Sequence, residues 1–371
     1  MAVKEQAKSV FSDRLETLRE GLKEAGFDAF VSASPPANQY LTGFQGTTSG
    51  VIVTATDAQF LCDFRYTEQA NETVTDYSVH EVSGGIAKRL GERLTALGVE
   101  KAAFEPQYIT VDEKESIGKL FEGKMSGVPA SSPASVARMR QFKSPHEIDA
   151  IRSASQLAEG VLADLVETLS SGMTEEEFAA EMEYEFKRRG AQGASFDTIA
   201  LFGQKSSLPH GRPTDKPLER GDVVLIDFGC RKNGYCSDLT RTYVYGTIPG
   251  AWFEEVYDLT LTAQKLALEA VRPGMSCREL DAVARDLITE AGHGKHFGHG
   301  LGHGVGLEIH EAPRLNPESA TVLEAGMVIT IEPGVYLPGK GGIRIEDLVL
   351  VTKDGGELLS GSPKELRILA V

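Results

Sequence analysis

The chain has 371 residues, 41% hydrophobic and 25% charged, which is too long for one ordinary core and sets an expectation of two domains. A formal net charge of −16 with no basic run argues against a nucleic-acid surface. No window approaches the roughly 18 uninterrupted apolar residues of a membrane span, and MAVKEQAKSV lacks the apolar core of a signal peptide, so a cytoplasmic protein is expected.

The first part reads as a small α/β unit. Leu15, Leu18, Leu22 and Ala25 form one apolar helix face that Gly26 ends. Ala29 to Val31 is a short strand, and VIVTA (51–55) with QFLC (59–62) reads as a strand pair. Ile86, Leu90, Leu94 and Leu97 mark another helix, and KAAF (101–104) another strand. Such alternation predicts an α/β layer architecture for residues 1–137. SSPASVARMRQFKS (131–144) looks like the connection to a second domain, taken as 138–371.

The second domain opens on a helix start in which Ser144, Pro145 and Glu147 supply an N-cap, an N1 proline and a capping-box acid. Two later helices start alike, at Gly172-Met173-Thr174 with Glu177 and at Gly274-Met275-Ser276 with Glu279. About 50 residues after each echo a further pair matches: GDVVLIDFG (221–229) aligns with GMVITIEPG (326–334), setting Asp227 on Glu332. SDL (237–239) then resembles EDL (346–348), which sets Asp238 against Asp347, or against Glu346 after a one-residue shift. The domain therefore reads as a duplication with pseudo-twofold symmetry, each half a helix followed by an acid-bearing hairpin.

In the first hairpin, VVLIDFGCR and YCSDLTRTYV flank Asn233-Gly234, a two-residue turn signal. That turn sets residue 229 opposite 238. Asp227 and Asp238 then share a face, one diagonal step apart. In the second, a turn centred on Gly339 sets Glu332 opposite Glu346. The companion side chains are Ile, Val and Leu, so the acids should be buried. Two carboxylates 4 Å apart repel by roughly 4 kcal/mol at an effective dielectric of about 20. Four converging ones would be costly or partly protonated. Two divalent cations remove the problem. The bland alternative pairs each acid with a neighbouring arginine such as Arg241 or Arg344.

Five of the eight histidines fall between His293 and His310. Glycines beside His299 and His303 should let the backbone pass close to a ligand or metal, and histidine is a usual partner of carboxylates on transition metals. His299, His303 and His310 are the candidates. His293 and His296 read as structural, His210 as a loop residue, and His80 and His146 carry no signal. The four cysteines, Cys62, Cys230, Cys236 and Cys277, form no CxxC pair and read as reduced thiols.

These residues resemble the family of Xaa-Pro aminopeptidases, prolidases and methionine aminopeptidases, with their pita-bread fold. The matching segments are LPHGRPTD (208–215), LIDFGCRKNGYCSDLTRTY (225–243), HFGHGLGHGVGLEIHEAP (296–313), VITIEPGVYLP (328–338) and GGIRIEDLVLV (341–351). NQYLTGFQGT (38–47) and FRYTEQA (64–70) are similar to the N-terminal domain of Xaa-Pro peptidases. The resemblance implies that Asp227, Asp238, His303, Glu332 and Glu346 hold two metal ions, with Asp238 and Glu346 bridging. Mn²⁺ is the first candidate, with Co²⁺ or Zn²⁺ as alternatives. It further implies substrate and transition-state contacts from His210, His299 and His310, and a place near the site for Arg344. Creatinase shares the fold without the metal ligands, and all five are present here. The expected activity is hydrolysis of the Xaa-Pro bond at peptide N-termini. Glu332 would be the general base, and His299 or His310 would steady the oxyanion. The alternative is a dipeptidase acting on Xaa-Pro alone, and further off a non-catalytic binding protein. A homodimer is implied by the family.

Overall fold

Leu15, Leu18 and Leu22 are the buried stripe of the first helix, Ala2–Ala25, and Gly26 ends it in the left-handed region at φ +74°. The computed structural model describes residues 2–371, with side chains from residue 10 onward. The chain divides into two compact units, one up to Arg140 and one from Gln141; the sequence set the boundary at 137/138. The first unit carries a six-stranded mixed sheet. Its spatial order is Ser78–Glu81, Ala58–Cys62, Ser49–Thr54, Ala29–Ser32, Lys101–Phe104, Lys124–Gly127. Leu90 and Leu94 of the helix Ile86–Ala96 are buried with Ala29, Val31, Ile52 and Leu61 of this sheet. All the elements expected here form.

The second unit is built twice. Helix Glu175–Arg188 starts on a Thr174/Glu177 capping box, and helix Cys277–Glu290 on a Ser276/Glu279 box. The backbone repeats the same bonds around both starts. The Gly172 amide donates to Leu218 O and the Gly274 amide to Leu323 O. The Leu218 amide returns to Met173 O and the Leu323 amide to Met275 O. Each half then contributes a hairpin. Val223–Phe228 pairs antiparallel with Leu239–Tyr245, and Val328–Ile331 with Asp347–Val351. Helices Pro145–Leu165 and Glu175–Arg188 share a core with the first hairpin. Ala251–Ala270 and Cys277–Glu290 share another with the second.

The register settles how the halves correspond. Asp227 faces Thr240, with Ile226 facing Arg241. In the other half Ile331 faces Asp347 and Gly334 faces Arg344, which leaves Glu332 opposite Glu346. Thr240 is therefore the counterpart of Glu346, and Arg241 of Asp347. The match of SDL to EDL is overturned, because a three-residue likeness carries less information than a continuous strand register. Asp238 instead corresponds to Arg344. Counterparts touch: Thr240 Oγ1 donates to Glu346 Oε2 at 2.7 Å, and Arg241 Nη2 lies 2.8 Å from Asp347 Oδ1. The pseudo-twofold axis passes between them.

Candidate active site

Asn233 at φ +53° and Gly234 at φ +84° form the tight turn that sets Lys232 opposite Tyr235 and Arg231 opposite Cys236. Continuing that register sets residue 229 beside 238, as the turn predicts. The result is that carboxylate oxygens of Asp227, Asp238 and Glu346 lie within 4.8 Å of one another. Asp238 and Glu346 are buried, and Asp227 and Glu332 are partly so. Glu332 joins the cluster through His303, whose Nε2 is 3.4 Å from Glu332 Oε1 and 3.5 Å from Asp238 Oδ2.

The arginine alternative accounts for one acid. Arg344 pairs with Asp227 Oδ2, and its other donors reach Tyr336 OH at 2.7 Å and Thr240 Oγ1 at 3.0 Å. Arg241 is committed to Asp347. Among the described residues no lysine or arginine pairs with Asp238, Glu332 or Glu346, and Asp227 Oδ1 is buried with no hydrogen-bond partner. Burial is the largest cause holding all three unpaired acids above the usual carboxylate range, followed for Asp238 and Glu346 by neighbouring carboxylates. Glu332 is pushed up to about 8, with Arg344 pulling the other way. A site of like charges with an unpartnered inward oxygen is short of cations, so hard divalent ions fit its donor set.

The histidines separate by what their Nε2 atoms face. His303 Nδ1 donates to Gly304 O at 3.0 Å, which leaves Nε2 as a lone pair turned to the acids. His299 Nδ1 donates to Gly300 O at 2.8 Å, and its Nε2 meets Tyr336 OH at 2.9 Å. Burial lowers both, His303 to about 3 and His299 to about 4, so both rings are neutral at physiological pH. His310 stacks edge-on against His303 with ring centroids 4.4 Å apart. The two glycines flanking His303 meet neighbouring backbone. A Cβ on Gly302 would sit 2.1 Å from Thr330 O, and one on Gly304 2.2 Å from Ala312 O. Both positions are small to let adjacent strands close up.

One cavity of about 450 Å³ collects Asp227, Asp238, Glu332, Glu346, His210, His299, His303, His310 and Arg344. His293 and His296 do not line it; they contact each other. The sequence reading missed Tyr336, Arg212 and Arg314. Arg314 lies directly across the strand pair from His303, a relation that only the register reveals.

Buried acids and one neutral imidazole, converging from two halves of a duplicated α/β frame, define the class: a metal-dependent hydrolase on a pita-bread fold with a small N-terminal α/β domain. Residues 149–353 match metallopeptidase family M24, and residues 14–141 match the creatinase/prolidase N-terminal domain. A Xaa-Pro dipeptidase of Pyrococcus horikoshii is 37% identical over 359 residues, 96% of this chain and 99% of that protein. The solved Xaa-Pro dipeptidase from Bacillus anthracis overlays with a TM-score of 0.92 at 37% identity, covering 97% of this chain and 100% of the other. An X-Pro aminopeptidase from Thermotoga maritima gives 0.85 at 36%, covering 95% and 100%. The chain belongs to the Xaa-Pro peptidases of metallopeptidase family M24. It is a peptidase, and its family works with divalent metal ions. No helix among the described residues is long and apolar enough to cross a membrane.

Proposed function

We propose that this chain is a Xaa-Pro dipeptidase with two divalent cations, Mn²⁺ first, held by Asp227, Asp238, His303, Glu332 and Glu346. Residues 138–371 are its catalytic domain, and a cytoplasmic homodimer is part of the same reading. The observation that carries the dipeptidase over the expected aminopeptidase is that full-length relatives are named Xaa-Pro dipeptidases. The cavity agrees with it. At about 450 Å³ it falls near the low end of ligand pockets, which run from about 300 to 1,000 Å³. Exposed Arg212 and Arg314 stand on its wall with the four acids. Guanidinium groups suit the free carboxylate that follows the proline of a dipeptide, where a longer peptide has only a neutral amide. The aminopeptidase reading keeps one support, the similar X-Pro aminopeptidase structure.

Divalent ions here would supply an electrophile for the scissile carbonyl and an activated water near neutral pH. The protein's own groups supply the rest. Glu332, beside His303 and accepting from Thr330 Oγ1 at 3.2 Å, takes the proton released as water attacks. His310 steadies the developing oxyanion, since its ring faces the cavity while His299 Nε2 is occupied by Tyr336. Arg344 fixes Asp227 and Tyr336 in place.

The test compares kcat/KM on Xaa-Pro, Xaa-Pro-Yaa and a longer Xaa-Pro peptide. The dipeptide should win by roughly tenfold or more, the loss expected when a charged donor faces no charged acceptor. Equal or faster cleavage of the longer peptides would give the aminopeptidase reading instead. Activity should vanish in chelator and return with Mn²⁺ or Co²⁺. Full activity in chelator with no bound metal by elemental analysis would sink the metal assignment.

A further inference from the structure

Glu175 is the first residue of helix Glu175–Arg188, and it is fully buried. An acid at a helix start ordinarily faces solvent and favours the positive end of the helix dipole. This one turns inward and binds a loop. Its Oε1 accepts the Phe202 amide at 2.8 Å. Its Oε2 accepts the Thr214 amide at 2.9 Å, the Thr214 hydroxyl at 3.0 Å and Lys205 Nζ. Lys205 Nζ also donates to Thr214 Oγ1 at 2.6 Å and to Arg212 O at 3.1 Å. One carboxylate thus ties together the two ends of the segment 202–214. Between those ends lie Pro209, His210 and Arg212, all on the cavity wall, and Pro209 O accepts from Arg344 at 3.3 Å.

The duplication provides an internal control. In the second half the same helix position is Cys277, equally buried. The backbone around it is the same: the Glu175 amide donates to Lys216 O and the Cys277 amide to Thr321 O. The fold therefore builds this helix start without a carboxylate. At this helix position a buried acid stands only in the half whose following loop carries His210 and Arg212.

We propose that Glu175 is a positioning residue of the active site, clamping the 202–214 loop so that His210 and Arg212 are held against the substrate. This rests on the peptidase reading for what the loop touches, but the clamp itself can be tested without substrate. With Glu175→Ala, hydrogen–deuterium exchange should rise at residues 203–214 and stay at wild-type levels in the helix Cys277–Glu290. With an Xaa-Pro dipeptide, kcat/KM should fall by roughly 10- to 100-fold, the order of loss expected from small misplacements. Metal content should be unchanged. Glu175→Gln keeps one acceptor oxygen and should recover part of the loss, which also covers the case in which the alanine variant folds poorly. Combined with His210→Ala, Glu175→Ala should cost clearly less than the product of the two single losses, because part of its effect acts through His210. Unchanged exchange in 203–214, or fully multiplicative losses in the double variant, would overturn the proposal. Raised loop exchange in an enzyme whose wild type does not cleave Xaa-Pro substrates would leave the clamp standing and reject the substrate reading.

Discussion

Asp238 is the residue with the most at stake. It is buried, its neighbours are Glu346, Asp227 and Glu332, and His303 Nε2 lies 3.5 Å away. If it bridges two ions, Asp238→Ala removes a ligand from both, and elemental analysis of the purified variant should find both sites depleted. Wild-type stoichiometry would contradict the bridging role. The four acids were legible in the sequence because strand pairing is geometry. An Asn-Gly turn and alternation of side chains are enough to predict which carboxylates share a face. Which histidine is the proposed metal ligand was not legible, since His299 and His303 each sit between glycines. What separates them is the partner of each Nε2, acids for His303 and Tyr336 for His299. Arg314 and Arg212 were invisible for another reason. A lone arginine in a loop or on a short strand carries no pattern, and only the pocket gives it meaning.

At the scale of elements, the short strand Gly302–Gly304 is closely hemmed in. It is paired with Glu311–Leu315 on one side and Val328–Ile331 on the other, with an irregularity between His303 and Gly304. Gly302→Ala places a methyl 2.1 Å from Thr330 O, and Thr330 Oγ1 also accepts the His303 amide at 3.0 Å. The strand must shift, and His303 moves with it. We expect a stability loss of about 1–3 kcal/mol in thermal or denaturant unfolding. A disproportionate fall in metal affinity by titration should accompany it. A variant that unfolds normally and binds metal normally would show that the strand has slack. The two acid hairpins and the helices Ala2–Ala25, Ile86–Ala96, Pro145–Leu165, Glu175–Arg188 and Cys277–Glu290 were legible from apolar spacing, turn and capping signals, whereas the helix Ala251–Ala270 was not read. The irregular strand was not, because glycine leaves no hydrophobic period to read.

For the whole molecule, the buried acids make stability depend on metal and pH together. In the metal-free protein Glu332 keeps its proton up to about pH 8, and Asp238 and Glu346 are also raised. The unfolded chain releases these protons near pH 4–4.5. Raised carboxyl groups therefore stabilise the fold at low pH, and that contribution is lost as pH rises toward 8. His299 and His303 act oppositely, but only below about 6.5, where the unfolded histidines take up protons. Between pH 6.5 and 8 the acids alone decide. The melting temperature of chelated protein should fall across that window, while metal-loaded protein, stabilised by binding, should stay higher and flatter. A chelated protein that gains stability from pH 6.5 to 8 would refute the electrostatic account.

The contact between Arg241 and Asp347 dates one step in the protein's history. In a symmetric dimer of identical halves, a residue on the twofold axis meets its own copy, so an arginine there would face an arginine. Opposite charges at counterpart positions require the two copies to mutate separately. The two copies were therefore already encoded separately before this pair, and the unequal set of cavity acids beside it, came to be.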